Sequence, residues 1–128
     1  MKVIKYSNIG CREINQDYLA SSSFDQDKSI YLVADGIGGY DCGEIASKIV
    51  CDSYIHGLIN NLSIDEATKE ASRNIQAECQ NLGVSKMGST VAAVFLNGLQ
   101  ASIFGQVIQE FMSLEINVFC TKQKITLY

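Results

Sequence analysis

The chain has 128 residues, a formal net charge of −4, 47% hydrophobic residues and 19% charged residues. This length fits one modest domain, and the apolar share is sufficient for a core, which excludes a disordered chain. The acidic balance argues against non-specific binding to nucleic acid or to an anionic membrane. No apolar run of signal-peptide or membrane-spanning length follows Met1, so a cytoplasmic protein is expected.

The cysteines and the single histidine do not form a recognisable metal site. His56 follows Asp52 by about one helical turn, without a further ligand nearby, and a surface or half-buried role is expected for it. An odd number of widely spaced cysteines without a C-x-x-C pair favours reduced, unpaired thiols. The cysteines are Cys11, Cys42, Cys51, Cys79 and Cys120.

Three strands are predicted in the first part of the chain. Residues 3–7 and 17–21 are short candidates, and the polar segment between them is typical of a loop. Residues 29–34 form an apolar, mostly β-prone run, which indicates a buried strand. This run ends abruptly at the glycine-rich corner formed by residues 35–39.

Two helices are predicted next. Apolar residues recur at helical spacing from about Cys42 to Asn61. Ser63 and Glu66 form the S-x-x-E pattern of a capping box before a second apolar stripe, and Gly83 is a natural stop. The short turn between the helices predicts that they lie antiparallel.

A strand hairpin is predicted after the helices. Residues 89–96 and 99–104 are the expected strands, and Asn97-Gly98 is typical of a type I′ turn, in which both central residues have positive φ. The order of strands, two helices and a hairpin predicts an α+β domain with the helix pair packed on one face of the sheet.

Two short segments contain residues that suit phosphate chemistry. Asp35-Gly36, after a buried strand, offers a carboxylate and an exposed carbonyl, which are hard oxygen ligands for Mg²⁺ or Mn²⁺. Arg12 precedes Asp17 in a loop, where a guanidinium can bind a phosphoryl group through its planar fork. Taken alone, each segment is more often an ordinary turn or polar loop than a phosphate site.

Taken together and in order, the motifs resemble protein phosphatase 2C, and most closely the bacterial branch of the metal-dependent (PPM) phosphatases. G-x-R-x-x-N-Q-D lies in residues 10–17, A-D-G-x-G-G followed by G-E-x-A-S lies in residues 33–47, and M-G-S-T opens residues 87–94. The resemblance covers about residues 1–104. It implies the N-terminal part of an αββα four-layer sandwich, an incomplete α+β domain.

The resemblance also implies an activity and a set of roles. The family hydrolyses phosphoserine and phosphothreonine in phosphoprotein substrates, using a water activated by two Mn²⁺ or Mg²⁺ ions. By position in the motifs, Asp35 would bridge both ions and Gly36 would bind one through its carbonyl. Arg12 would hold the substrate phosphate, and Asp17 would support the site by hydrogen bonding.

Four further positions follow from the same comparison. Glu44 and Thr90 match family positions that we interpret as structural. Gln16 stands where some members have glutamate, which would weaken an outer, water-mediated contact to a metal. Tyr40 stands near a position where many members have histidine, so a proton-transfer partner is absent there.

The resemblance stops near Phe104, where a domain boundary is predicted between residues 1–104 and a divergent tail, 105–128. Family motifs with further metal-binding aspartates are expected after that point and are not visible. Read one frame over, codons for residues 106–110 permit Gly-Asp-Ser-Arg, and those for 122–127 permit Asp-His-Thr. We therefore expect a frameshifted tail, with a genuine, divergent C-terminus as the alternative.

Two functions remain open from the sequence. The chain is either a weakly active or inactive truncated phosphatase, or a non-catalytic remnant that binds phosphopeptides through Arg12 or is inert. The missing downstream aspartates favour low activity, because one carboxylate cannot hold two divalent ions that each take about six oxygen ligands.

Overall fold

The computed structural model of the chain describes residues 2–37, 40–111 and 119–126. Within these ranges it contains five strands and two helices. In chain order they are β1 (Asp17–Phe24), β2 (Lys28–Gly36), α1 (Gly43–Ile59), α2 (Ile64–Leu82), β3 (Lys86–Asn97), β4 (Gln100–Phe111) and β5 (Phe119–Thr126).

The strands form one antiparallel sheet in the order β1-β2-β3-β4-β5. Each strand therefore pairs with its neighbour in the chain, although the helix pair separates β2 from β3. The register aligns the end of β2 with the starts of β1 and β3, since Asp35 lies opposite Asp17 on one side and Thr90 on the other. The two predicted motifs that carry carboxylates thus meet at one end of the sheet.

Both helices pack on a single face of the sheet, as predicted. Helix α1 contacts β1, β2 and β3, whereas α2 contacts β3 and β4. Buried apolar residues alternate along the strands, which places Ile30 and Leu32 of β2 toward the helices and leaves Tyr31 and Val33 on the other face. The α+β prediction is confirmed, with one sheet layer and one helix layer.

A buried hydrogen-bond network ties the two helices to β4. The Tyr54 hydroxyl of α1 is 2.7 Å from Thr68 Oγ1 of α2 and donates to Gln106 Oε1 of β4 at 2.9 Å. The Tyr54 ring also packs against Phe104, with ring centroids 5.2 Å apart. Satisfied polar groups in a core rigidify it, so this network fixes where the helix pair sits on the sheet.

The second helix begins and ends where the sequence predicts. Ser63 Oγ accepts a hydrogen bond from the Glu66 backbone N–H, and the Glu66 carboxylate accepts one from the Ser63 N–H, which completes the capping box. Gly83 closes the helix in the left-handed conformation, with φ of 67°. The first helix begins differently, after Cys42 with φ of 52° and without a side-chain cap.

Two local predictions are wrong. Residues 3–7 do not form a strand, and Val3 and Tyr6 instead border an apolar groove on the sheet face opposite the helices. Their β propensity has no effect there because a strand needs a hydrogen-bonded neighbour. The hairpin loop consists of Gly98 and Leu99, with positive φ only at Gly98, which is typical of a type II′ rather than a type I′ turn.

The predicted boundary after residue 104 falls inside β4, which runs to Phe111. Gln106 and Ile108 are buried beneath the helices. Of the predicted tail, residues 112–118 and 127–128 lie outside the described residues. A frameshift is a statement about the gene, and it stays a prediction.

The thiols and the histidine have the expected structural settings. Four cysteines are free: Cys11 is exposed, Cys42 is half-buried, and Cys51 and Cys79 are buried. Burial raises the pKa of the Cys51 thiol to about 12. His56 Nδ1 lies 2.9 Å from Glu70 Oε1 at the surface between the helices. Neither helix has the combined length and apolar character of a membrane span, as far as the described chain extends.

Candidate metal and phosphate site

Asp17 and Asp35 lie directly opposite each other in the β1–β2 ladder. Asp17 opens β1 and Asp35 is the next-to-last residue of β2, so both side chains project at the same end of the sheet on the face away from the helices. A cleft of about 170 Å³ lies over them. It is lined by Asn8, Ile9, Arg12, Ile14, Asn15, Gln16, Asp17 and Asp35.

The loop before β1 brings Arg12 to this cleft. The Arg12 backbone N–H donates to the Ile9 carbonyl at 3.3 Å, which forms a tight turn. Asn15 then links two parts of the loop, because its Nδ2 donates to Ser7 Oγ at 2.9 Å and its Oδ1 accepts from the Asp17 N–H at 3.0 Å. These local bonds are typical of asparagine in loops and hold Arg12 and Asp17 on one side of the cleft.

The backbone of Asp35 is fixed from the opposite side by β3. The Ser89 hydroxyl lies 3.1 Å from the Asp35 carbonyl oxygen and 2.7 Å from the Thr90 carbonyl oxygen and shares its one hydrogen between them, and the Thr90 hydroxyl donates to the Asp35 carbonyl at 3.3 Å. Ser89 is fully buried. These bonds give the M-G-S-T motif a structural role, since two hydroxyls hold the strand that presents the Asp35 carboxyl group.

The pKa of Asp35 is raised above its ordinary value of 3.8. Partial desolvation is the main cause, followed by a side-chain hydrogen bond with Asp17 and by the negative charge of Asp17, while the positive charge of Arg12 acts in the opposite direction. A hydrogen bond between two carboxyl groups requires a proton on one of them. Burial and the neighbouring Asp17 therefore favour the neutral form of the Asp35 carboxyl group, whereas Arg12 favours the charged form.

Close backbone packing holds Gly36 behind the carboxyl pair. A Cβ atom on Gly36 would lie 2.4 Å from the Gly43 carbonyl oxygen, so this position accepts only glycine. The Gly36 N–H also donates to the Gln16 carbonyl at 3.0 Å. The end of β2 is thereby pressed between the start of α1 and the start of β1.

The remaining predicted positions lie around this centre. Glu44 is in the first turn of α1, where a negative charge is favourable, and its carbonyl accepts from Ser47 Oγ at 3.2 Å. Tyr40 does not line the cleft, since its hydroxyl donates to Gln109 Oε1 at 3.2 Å and its ring lies under Lys86 Nζ at 4.7 Å.

The donor set suits a hard divalent cation in part. Asp17 and Asp35 supply carboxylate oxygens at one point, and a cation there would neutralise the repulsion between their negative charges. The described residues contain no group of three or more acidic, cysteine or histidine side chains placed to hold a metal. The site therefore fits a few ligands of a metal centre and not a closed coordination shell.

Sequence reasoning did not assign roles to several residues of the cleft. Asn8, Ile9 and Ile14 line it, and Ser89 supports Asp35 from below. Asn8 carried a detectable signal, because its Oδ1 accepts from the Gly10 N–H at 2.7 Å and an Asn-x-Gly turn is recognisable in sequence. Contacts across different segments, such as Ser89 to Asp35, have no such local signal.

Comparison with solved structures places the fold among phosphatases. A bacterial serine phosphatase carrying a point substitution matches with a TM-score of 0.71 at 17% identity, over 94% of this chain and 69% of its own. The Mycobacterium tuberculosis serine/threonine phosphatase PstP/Ppp gives 0.65 at 16%, over 91% and 69%. Serine-threonine phosphatase 2C from Toxoplasma gondii gives 0.63 at 16%, over 86% of this chain and 48% of its own.

These identities are low, so the likeness to solved structures establishes the fold alone. No curated protein matched the sequence. The family assignment comes from the sequence model of Protein phosphatase 2C, which matches residues 6–107 and so includes both halves of the carboxyl pair, Arg12 and the M-G-S-T strand. The chain belongs to the protein phosphatase 2C family.

Proposed function

We propose that the chain forms the phosphate-binding side and part of the metal-binding side of a metal-dependent protein serine/threonine phosphatase that acts on cytoplasmic phosphoproteins. One observation carries the proposal. Asp17, Asp35 and Arg12 line the same small cleft, in a chain that belongs to this family. Carboxylates that attract a divalent cation beside a guanidinium that attracts a phosphate are suited to phosphate-ester hydrolysis.

Each residue has a defined task in this proposal. Arg12 binds the phosphoryl oxygens of the substrate and orients them in the cleft. Asp35 and the Gly36 carbonyl provide oxygen ligands for Mn²⁺ or Mg²⁺, and Asp17, which lies opposite Asp35 in the β1–β2 ladder, supports the site by hydrogen bonding near the metals. When bound, two such ions would supply an activated water and neutralise negative charge on the phosphate.

The described residues limit the activity expected of this chain. Each divalent ion takes about six oxygen ligands, and a two-ion centre needs more carboxylates than the two that meet here. We therefore expect turnover to be weak or absent in the 128-residue chain. The natural second candidate is phosphopeptide binding without hydrolysis, since Arg12 reaches the cleft whether or not the metal centre is complete. An inert remnant is the third.

Hydrolysis of an aryl phosphate, measured with and without Mn²⁺, tests the enzymatic proposal. Mn²⁺-dependent turnover that is lost in Asp35→Asn supports it, because the substitution removes a charged metal ligand. Asp25→Asn is the matched control, since Asp25 lies in the β1–β2 turn at the far end of the same two strands. Asparagine also tolerates the positive φ of 52° at that position. Equal loss in both variants would contradict the assignment of Asp35.

Binding of a fluorescent phosphoserine peptide, followed by anisotropy without metal, tests the second candidate. Arg12→Ala is expected to weaken binding by about tenfold or more, because a charge-assisted bidentate contact is lost. Arg73→Ala, on the exposed side of α2, is the control for the loss of a positive charge. Binding without turnover supports the phosphopeptide module, and neither activity leaves the inert remnant.

A further inference from the structure

Three residues from three different segments are stacked behind the carboxyl pair. Gly36 ends β2, Gly43 begins α1, and Gln16 precedes β1. Their contacts are tighter than ordinary packing, since a Cβ on Gly36 would lie 2.4 Å from the Gly43 carbonyl oxygen and a Cβ on Gly43 would lie 2.8 Å from Gln16 Cδ.

The two close contacts differ in which opposing atoms can move. Backbone opposes backbone between Gly36 and Gly43, so any side chain at Gly36 would force the helix away from the strand. At Gly43 the opposing atoms belong to the end of the Gln16 side chain, which can rotate. Gln16 therefore occupies the space that a side chain on Gly43 would fill, and it covers the helix start from the outside.

Packing holds the Gln16 side chain in this place. Its Oε1 is buried without a hydrogen-bond partner among the described residues. A buried acceptor without a donor is unfavourable, so this oxygen does not anchor the side chain. The backbone carbonyl of the same residue does make a bond, at 3.0 Å to the Gly36 N–H.

We propose that Gln16 is a positioning residue, which fills the space over Gly43 so that the start of α1 stays pressed on Gly36 and Asp35 stays beside Asp17. The inference rests on the proposed function for its consequence, the placement of a metal ligand. It adds to that function a residue whose side-chain volume, rather than its amide chemistry, sets the geometry of the strand end.

If the volume of the Gln16 side chain sets the packing at the end of β2, four variants have predictable effects. Gln16→Met keeps the volume and removes the unpaired buried acceptor, so the strand end stays fixed. Gln16→Ala leaves a void over Gly43 and loosens the end of β2. Gly43→Ala adds a methyl group where Gln16 lies and displaces that side chain. The double variant Gln16→Ala/Gly43→Ala places the new methyl group in the void and restores the packing, so the two substitutions are non-additive.

Amide hydrogen exchange of Gly36, with Ala93 in the buried part of β3 as the reference, is the primary measurement. We expect Gly36 exchange to be faster by about tenfold in each alanine single variant and close to wild type in Gln16→Met and in the double variant. Exchange at Ala93 is expected to stay unchanged. Additive effects in the double variant, or equal changes at Gly36 and Ala93, would overturn the proposal, because they indicate a general loss of stability.

Mn²⁺ affinity, measured by calorimetry, gives the functional readout in the same variants. We expect binding weakened in the two single alanine variants and recovered in Gln16→Met and in the double variant. Wild-type affinity in Gln16→Ala would contradict a positioning role. If the wild type itself binds no Mn²⁺, the proposed function fails, and the exchange measurements still decide whether Gln16 fixes the strand end.

Discussion

Asp17 and Asp35 form a carboxyl pair that is unfavourable in the folded chain when both groups are charged. The pKa of Asp35 is raised, first by partial desolvation and then by the hydrogen bond with Asp17 and the negative charge of Asp17. As pH rises through the folded pKa of Asp35 the proton is lost, and the two negative charges then repel. A site that is unfavourable when empty gains more from binding a positive ion.

The raised pKa of Asp35 predicts how stability changes with pH. An acid whose pKa is higher in the folded state stabilises the fold most below its unfolded value, here 3.8, and this contribution is lost as pH rises through the folded pKa. In Asp35→Asn the amide stays neutral and still donates to Asp17. The variant is expected to have a higher Tm than wild type near pH 7 in EDTA, with the difference vanishing near pH 4.

Thermal unfolding followed by circular dichroism at both pH values measures this difference. Asp25→Asn again serves as the control, because the Asp25 carboxylate lies in a surface ion pair with Lys28 at 3.3 Å and such pairs contribute little. A Tm difference for Asp35→Asn that is the same at both pH values would show that the shared proton does not contribute.

Strand β4 connects the residues that match the family model with those that do not. The match ends at residue 107, yet the alternation of buried and outward side chains continues, and Ile108 is fully buried. The Tyr54 network reaches the same stretch through Gln106. Gln106 and Ile108 are thus buried in the structure, whatever their origin in the gene.

Ile108→Ala is expected to lower the free energy of unfolding by about 2–5 kcal/mol, because it leaves a cavity beneath the helices. Ile103→Ala is the matched control in the same strand, since Ile103 points to the other face and is 40% exposed. A smaller loss is expected there. Urea unfolding of both variants measures the difference, and equal losses would mean that Ile108 is not packed in a core.

Helix α2 was predicted correctly from local signals, whereas the strand at residues 3–7 and the turn at Asn97-Gly98 were not, because both depend on strand pairing. The second helix has its cap, stripe and stop within its own sequence, and each is confirmed. Residues 3–7 have strand propensity but no paired neighbour, so no strand forms. The same division holds in the site, where Asp35-Gly36 is readable locally, whereas the contact of Gln16 with Gly43 depends on how separate segments pack.

At the scale of the whole molecule, one face of the sheet carries the helices and the other carries exposed apolar side chains. Val33 is 52% exposed on that second face. A groove of about 440 Å³ runs across it, bordered by the N-terminal segment and by strands β1 to β4. Exposed apolar surface of this kind lowers solubility, as expected from the incomplete sandwich that the sequence implies.

Replacing Val33 and Ile103 by serine is therefore expected to raise solubility and to lower the fluorescence of the bound dye 8-anilinonaphthalene-1-sulfonate. Leu99 and Ile59, which are similarly exposed but lie at a turn and a helix end, provide the control pair when changed to serine. Dye binding that falls equally in both double variants would show that the sheet face is not the apolar surface detected.

Because the cysteines differ in burial, the rates at which their thiols are chemically labelled report local opening of the folded chain. A thiol-specific reagent modifies Cys11 at the surface of the folded chain, whereas Cys51 and Cys79 become reactive only when the helix layer separates from the sheet. The raised pKa of Cys51 slows its reaction further, since the thiolate is the nucleophile. The rates at which Cys51 and Cys79 acquire label, compared with the rate for Cys11, thus measure how often the two layers come apart at equilibrium.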